Sequence, residues 1–166
     1  MRKFIVGMLA GAMMFSAGST ALAGEAAWMT PSDVSVGWLQ PGMSMDEVRA
    51  IYGPMKETST HYDKKALGYG DSVKIIPTKD GSAVKSILVN ENNGWATPAG
   101  ITVGMDISVV TKIYGDGTVN PTRHKSHHMH GYDYYTYFPG SNHTIYLTFA
   151  AKNGKVAYIK AGTMRR

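Results

Sequence analysis

The sequence predicts an α+β fold made of two tandem repeats, each a short helix followed by an antiparallel β-meander. Three patterns indicate this: a phrase that occurs twice, a helical period within each copy of it, and an alternating period after each copy. The phrase spans 42–53 and returns at 104–115, with six identities in twelve aligned positions and no gap. Such a match favours an internal duplication over chance.

A short helix is predicted within each copy of the phrase. Ser44 and Glu47 have the spacing of a capping box, and Asp106 takes the cap position in the second copy. Gly53 and Gly115 stand where a helix ends on a positive φ. Apolar residues follow each cap at helical spacing, namely Met45, Val48, Ile51 and Tyr52, then Ile107, Val110, Ile113 and Tyr114. We expect about nine helical residues in each copy.

Strands are predicted downstream of each helix, where the spacing of the apolar residues changes from about 3.6 to two. The second copy has aromatic and β-branched runs at 132–138, 144–150 and 155–161, and the first has runs at 66–69, 73–78 and 84–89. Asn153-Gly154 and Asp80-Gly81 lie between such runs and are strong signals for hairpin turns. We expect the helices to cover one face of the sheet.

The predicted organisation is a signal peptide at 1–23, an N-terminal arm at 24–36, repeat 1 at 37–90, a linker at 91–99 and repeat 2 at 100–166. A basic start, a short apolar stretch and Ala21-Leu22-Ala23 are typical of a cleaved export signal. After cleavage we expect a periplasmic or secreted protein without a transmembrane anchor. The chain has no cysteine, which excludes disulfides, thiol catalysis, thiolate metal sites and N-terminal lipidation.

The charge of the chain excludes one class of partner. Loss of Arg2 and Lys3 with the signal peptide lowers the formal charge from +5 to +3. No run of basic residues is long enough to form a nucleic-acid stripe, so nucleic acid is not an expected partner.

A histidine-rich stretch at 124–130 is a candidate metal site. His127, His128 and His130 offer imidazole ligands suited to Zn, Ni or Cu. Two other interpretations remain open: a solvated polar loop, and a surface patch that senses pH because histidine titrates near neutrality. Apart from this stretch, no cofactor is expected.

The strand tyrosines are the candidate partner-binding residues. The run at 132–138 places rings on both faces of its strand. Alternation predicts a buried set of Ile145, Leu147, Phe149, Ala157 and Ile159. It leaves Tyr135, Tyr137, Tyr146 and Tyr158 on one partner-binding face, because tyrosine offers a large rigid contact with a polar tip. The alternative is that these are ordinary strand residues.

No catalytic residues are predicted. Asp46 and Glu47 are adjacent, but they lie at a helix start, where acidic residues are favoured by the cap and the helix dipole. Nothing in the sequence has the pattern of a nucleophile elbow or of a glycine-rich phosphate loop. We therefore expect a non-enzymatic protein.

The segment 39–48, Leu-Gln-Pro-Gly-Met-Ser-Met-Asp-Glu-Val, resembles the phrase that opens the helix of the SmpA/OmlA family of outer-membrane assembly proteins. The segment 101–106 opens the second copy similarly. Two such units in tandem also resemble the β-lactamase-inhibitor-protein superfamily. The resemblance covers most of 37–162 and implies a module that binds another envelope or secreted protein. The alternative function is a metal-binding or pH-sensing envelope protein that uses the histidine stretch.

Overall fold

The computed structural model describes residues 25–26, 29–58, 66–116, 118–120, 131–140 and 144–164. The helices are α1 (Met45–Tyr52) and α2 (Ile107–Tyr114), and a 3₁₀ turn spans Pro31–Asp33. The strands are β1 (Glu25–Ala26), β2 (Lys56–Thr58), β3 (Ala66–Tyr69), β4 (Val73–Pro77), β5 (Val84–Val89), β6 (Thr118–Asn120), β7 (Asp133–Pro139), β8 (Ile145–Lys152) and β9 (Lys155–Thr163). In the part of the chain that the structure describes, no helix has the length and apolarity needed to span a membrane.

The strands form one continuous sheet. Its order is β2-β3-β4-β5-β9-β8-β7, and both β6 and β1 pair with β7. Neighbouring strands are antiparallel except for β1, which runs parallel to β7. The predicted α+β fold of two tandem helix-plus-meander repeats is therefore wrong. The last strand of the first half pairs directly with the last strand of the chain, so the molecule is a single sheet that carries two eight-residue helices.

The predicted helix caps are confirmed. The Ser44 hydroxyl accepts from the Glu47 N–H at 3.1 Å, while the Glu47 carboxylate accepts from the Ser44 N–H at 3.0 Å. The Asp106 carboxylate accepts from the Ser108 N–H at 2.9 Å. Each helix ends on a glycine with φ near +80° whose N–H donates to the last turn. Local capping chemistry thus fixes both ends of each helix.

The repeated phrase docks on the sheet in the same way in both copies. In each copy the glycine N–H donates to a strand carbonyl, and the carbonyl of the following methionine accepts from the same strand residue. That residue is Val84 at the start of β5 and Val156 near the start of β9, and the bonds are 2.7 to 2.8 Å long. The Gly-Met pair is therefore a backbone clamp that holds each helix start against a strand.

One hydrophobic core lies between the helices and the sheet face that they cover, which we call the inner face. Of the predicted buried set, Leu147, Phe149 and Ile159 are fully buried. Ile145 and Ala157 are only half-buried. A β-bulge between Ala150 and Ala151 shifts the register with β9, so Val156 rather than Ala157 takes the inward position.

The segment before α1 contributes to this core. The sequence analysis found no period in 24–36 and predicted an arm there, yet Met29, Val34 and Val36 are buried together with Leu39. Apolar residues in irregular segments show no periodic spacing in the sequence, even where their side chains belong to the core.

Two inner-face tyrosines, one buried and one half-buried, connect the sheet to the helix ends. The Tyr69 hydroxyl donates to the Gly53 carbonyl at 2.9 Å, and the Tyr137 hydroxyl donates to the Gly115 carbonyl at 2.8 Å. Both acceptors are the residues that end the helices. The inner-face tyrosines therefore satisfy carbonyl groups that the helices leave open.

Removal of the Tyr137 hydroxyl should destabilise the protein more than removal of the Tyr69 hydroxyl. Tyr137 is fully buried, whereas Tyr69 is half-buried and leaves water access to its acceptor. We expect Tyr137→Phe to lower the free energy of unfolding by about 1 to 2 kcal/mol, and Tyr69→Phe by less. Urea denaturation of the two variants measures the difference, and equal midpoints would contradict this account.

Stability should fall at alkaline pH. Burial, and then the neighbouring Tyr135 and Asp116, hold the pKa of Tyr137 well above its usual value near 10. The unfolded chain loses this proton near pH 10 while the folded chain keeps it, so the stabilisation is fully present below pH 10 and is lost above it. The urea midpoint should drop above pH 10, and less steeply in Tyr137→Phe. The same slope in both proteins would show that another group is responsible.

Candidate functional site

The structure does not bring the four predicted tyrosines onto one face. Tyr135 pairs with Phe149 and Tyr137 pairs with Leu147 across β7 and β8. Directly paired residues share a face of a sheet. These two tyrosines therefore belong to the inner face, and Tyr137 is 0% exposed. Tyr137 therefore lies in the core and not on a surface shared with Tyr146 and Tyr158.

Tyr146 and Tyr158 lie on the opposite face of the sheet, which we call the outer face. Tyr158 packs in a ring cluster with Tyr132 and Tyr134, with centroid distances of 5.7 and 6.2 Å. Tyr146 pairs with Gly162 of β9, and a Cβ on this glycine would lie 2.8 Å from the Tyr146 hydroxyl. Gly162 thus leaves the space that the Tyr146 side chain occupies.

The histidine candidates, His127, His128 and His130, lie outside the described residues. Within the described ranges, no three histidine, aspartate or glutamate side chains are grouped so that they could hold a metal ion. The metal prediction stays a prediction.

A groove lies next to α1. It encloses about 420 Å³. Its walls come from the segment before α1, the end of α1 and the connection between β5 and α2. The lining residues are Ser35, Gly37, Trp38, Tyr52, Gly94, Trp95, Ala96, Thr97 and Pro98. None of them is an acid, a lysine, an arginine or a histidine, so the groove suits an uncharged group.

Trp95 forms the floor of this groove. Its ring lies 4.7 Å from the Tyr52 ring and 6.3 Å from the Tyr69 ring, centroid to centroid. The backbone of Gly37 lies against the indole, and the Gly37 N–H donates to the Ala96 carbonyl at 2.9 Å. The loop that carries Trp95 therefore packs on residues of the first half of the chain.

The Tyr52 hydroxyl holds the same wall by donating to the Gly37 carbonyl. A tyrosine hydroxyl with its usual pKa near 10 keeps its proton at neutral pH and can act as this donor, and burial raises the pKa of Tyr52 further. The helix, the segment before it and the Trp95 segment are therefore tied together around the groove.

Trp38 stands at the tip of a two-residue turn. Val36 and Leu39 form both backbone hydrogen bonds of an isolated antiparallel bridge, each 3.1 Å long, and both side chains are fully buried. Between them Gly37 and Trp38 have φ values of +56° and +67°. Two successive positive φ angles are those of a type I′ turn, in which asparagine and glycine are the usual residues.

The Trp38 side chain is 84% exposed, the highest value among the exposed large hydrophobic side chains of the described residues. A non-glycine residue in this backbone region costs roughly 1 to 3 kcal/mol, and such strain concentrates at functional sites. The turn holds a large apolar ring in water at the rim of an aromatic groove. Neither packing nor backbone preference explains a tryptophan at this position.

The sequence analysis missed this groove because its residues lie in segments with no helical or strand period. One signal was present: the chain contains two Gly-Trp dipeptides, 37–38 and 94–95, each in a loop shortly before a copy of the repeated phrase. Tryptophan in a loop has no strand or helix core to fill, and so it points to a local aromatic site.

Comparison of the chain with protein-family models, with curated proteins and with solved structures found no match. The resemblance to the SmpA/OmlA family and to the β-lactamase-inhibitor-protein superfamily therefore rests on the sequence motifs alone.

Gly37→Ala should disrupt the groove beyond the cost of backbone strain. A Cβ at position 37 would lie 2.3 Å from Cε3 of Trp95, so the indole must move. Gly70 is a matched control, because its φ is +62° and a Cβ added there would have no atom within 4 Å. We expect Gly37→Ala to be less stable than Gly70→Ala by about 1 to 3 kcal/mol.

Intrinsic tryptophan fluorescence of the folded proteins provides a second measurement. Gly37→Ala should change the emission because Trp95 moves, whereas Gly70→Ala should leave it as it is. Equal stabilities and unchanged spectra in both variants would show that Trp95 does not pack on Gly37.

Proposed function

We propose that this protein is an exported, non-enzymatic module of the bacterial cell envelope that binds another protein through the Trp38 groove. The observation that carries the proposal is the exposed Trp38 ring, held at a strained turn over an aromatic floor. Tryptophan is enriched among the few interface residues that supply most of the binding free energy. An apolar side chain of the partner would fill the groove beside it.

The composition of the groove favours binding over catalysis. Catalysis by acid–base or nucleophilic chemistry requires a titratable or activated side chain next to the substrate. Among the lining residues, the one titratable group is the Tyr52 hydroxyl, and it already donates to a backbone carbonyl. The export signal and the resemblance to SmpA/OmlA proteins support a partner in the envelope.

A photo-crosslinking amino acid at position 38, introduced in cells of the source organism, tests this proposal. We expect one discrete protein adduct. Met164 is the matched control position, because it is also an exposed apolar residue, at 52%, but it lies after β9 and does not line the groove. The same label at position 164 should not give that adduct.

Trp38→Ala should weaken binding of the partner so identified at least tenfold, which corresponds to about 1.4 kcal/mol or more. Met164→Ala should change the affinity little. Isothermal titration calorimetry measures both, with circular dichroism to verify that each variant is folded. Equal affinities of Trp38→Ala and the unaltered protein would overturn the proposal.

A further inference from the structure

The strands that form the body of the sheet carry an unbalanced positive charge. β3, β4, β5, β8 and β9 contain five lysines and no aspartate or glutamate. Acidic residues near these strands lie in turns and at helix starts, such as Asp80 and Asp106, or in the flanking strands β2 and β7. The two in flanking strands, Glu57 and Asp133, pair with the inner-face residues Leu67 and Ala151. The lysines are Lys74, Lys85, Lys152, Lys155 and Lys160.

Three of these lysines belong to the outer face. Leu88 of β5 pairs with Lys74 on one side and with Lys160 on the other, so the three residues form one row across the sheet. Two strand spacings separate the lysines of this row, about 10 Å. Lys152 lies four residues along β8 from Thr148, the partner of Lys160, which puts it roughly 14 Å from Lys160.

Tyrosine rings hold two of these lysines on the outer face. The Lys160 ammonium lies 5.8 Å from the centroid of the Tyr146 ring, and the Lys152 ammonium lies 5.6 Å from that of Tyr132. These distances are within the range of cation–π contacts. The ring contacts restrict the flexible lysine stems and lower the conformational entropy that the lysines lose on binding an anion.

We infer that the outer face binds an extended acidic segment of a protein. Carboxylates three or four residues apart in an extended chain are about 10 to 14 Å apart, which matches the spacing of the three lysines. The partly exposed tyrosines between the lysines supply rigid contact area with polar tips. Because β3, β4, β5, β8 and β9 contain no aspartate or glutamate, no carboxylate on these strands repels such a segment.

A protein segment fits this face better than an anionic membrane does. Stable membrane attachment combines basic residues with apolar side chains that insert among the lipids. The exposed large hydrophobic side chains of the described residues are Trp38, Ile51 and Met164, and none of these lies within the sheet strands. The outer face is thus cationic without an apolar anchor.

The test uses the purified protein and a synthetic fluorescent peptide with a glutamate at every fourth position, separated by serine and threonine. We expect saturable binding at low salt by fluorescence anisotropy and loss of most of it at about 1 M NaCl, where screening is strong. The same peptide with glutamine in place of glutamate should not bind. Failure of the glutamate peptide to bind at low salt would overturn the inference.

The double variant Lys152→Gln with Lys160→Gln should weaken binding of the glutamate peptide about fivefold or more. Lys79→Gln with Lys112→Gln is the matched control, since it removes the same charge from exposed lysines in a turn and on α2. Equal weakening by both pairs would show that net charge, not this face, attracts the peptide.

Two further measurements separate this inference from its alternatives. Trp38→Ala should bind the glutamate peptide normally, because the groove is a different site, and loss of binding in this variant would overturn the outer-face assignment. Vesicles containing anionic phosphatidylglycerol should bind weakly at the same salt concentration. Vesicle binding that the lysine pair abolishes, without peptide binding, would identify the face as a lipid surface instead.

Discussion

The pairing of β5 with β9 is the constraint on which the rest of the structure depends. It joins a strand of the first half of the chain to the last strand, with Ile87 opposite Ala161 and Leu88 opposite Lys160. This register makes one inner face, on which both helices pack over a shared core. It also places Lys160 in the same row as Lys74, so the alignment of these two lysines on the outer face depends on this one strand pair.

The helix ends are the second place where separate elements of the structure are joined, because hydrogen bonds connect them to the sheet. A helix leaves its last carbonyl groups without partners, and eight residues are too few for such a helix to be stable alone. Here the sheet supplies tyrosyl hydroxyls to Gly53 and Gly115, while the Gly-Met clamp holds the other end of each helix. The helices thus owe their stability to contacts with the sheet and not to their own propensity.

Much of the local structure was predictable from the sequence, because caps, turns and strand alternation are short-range properties. Ser44 and Glu47 identified the start of α1, and the run at 84–89 coincides with β5. The fold class was not predictable in this way. The partner of β5 is about 70 residues distant, and no local period encodes which strand edge meets which.

The placement of the candidate site residues could not be predicted from the sequence, for two physical reasons. Alternation divides a strand into two faces but does not say which face the helices cover, so Tyr137 was assigned to the wrong one. The bulge at Ala150 and Ala151 further shifted the pattern in β9. Trp38 was missed because an exposed tryptophan with a positive φ at a turn follows neither a packing pattern nor a backbone preference.

The Trp38 turn keeps its strained conformation because the residues on either side of it are buried. Backbone strain at Trp38 disfavours the turn by roughly 1 to 3 kcal/mol. Burial of the flanking Val36 and Leu39 side chains contributes about 1.5 to 3 kcal/mol each, which exceeds that cost. The turn is therefore held by buried residues that flank it, and not by Trp38 itself. A turn fixed in this way would lose little backbone freedom on binding, so more of the contact free energy of the Trp38 ring would be available as affinity.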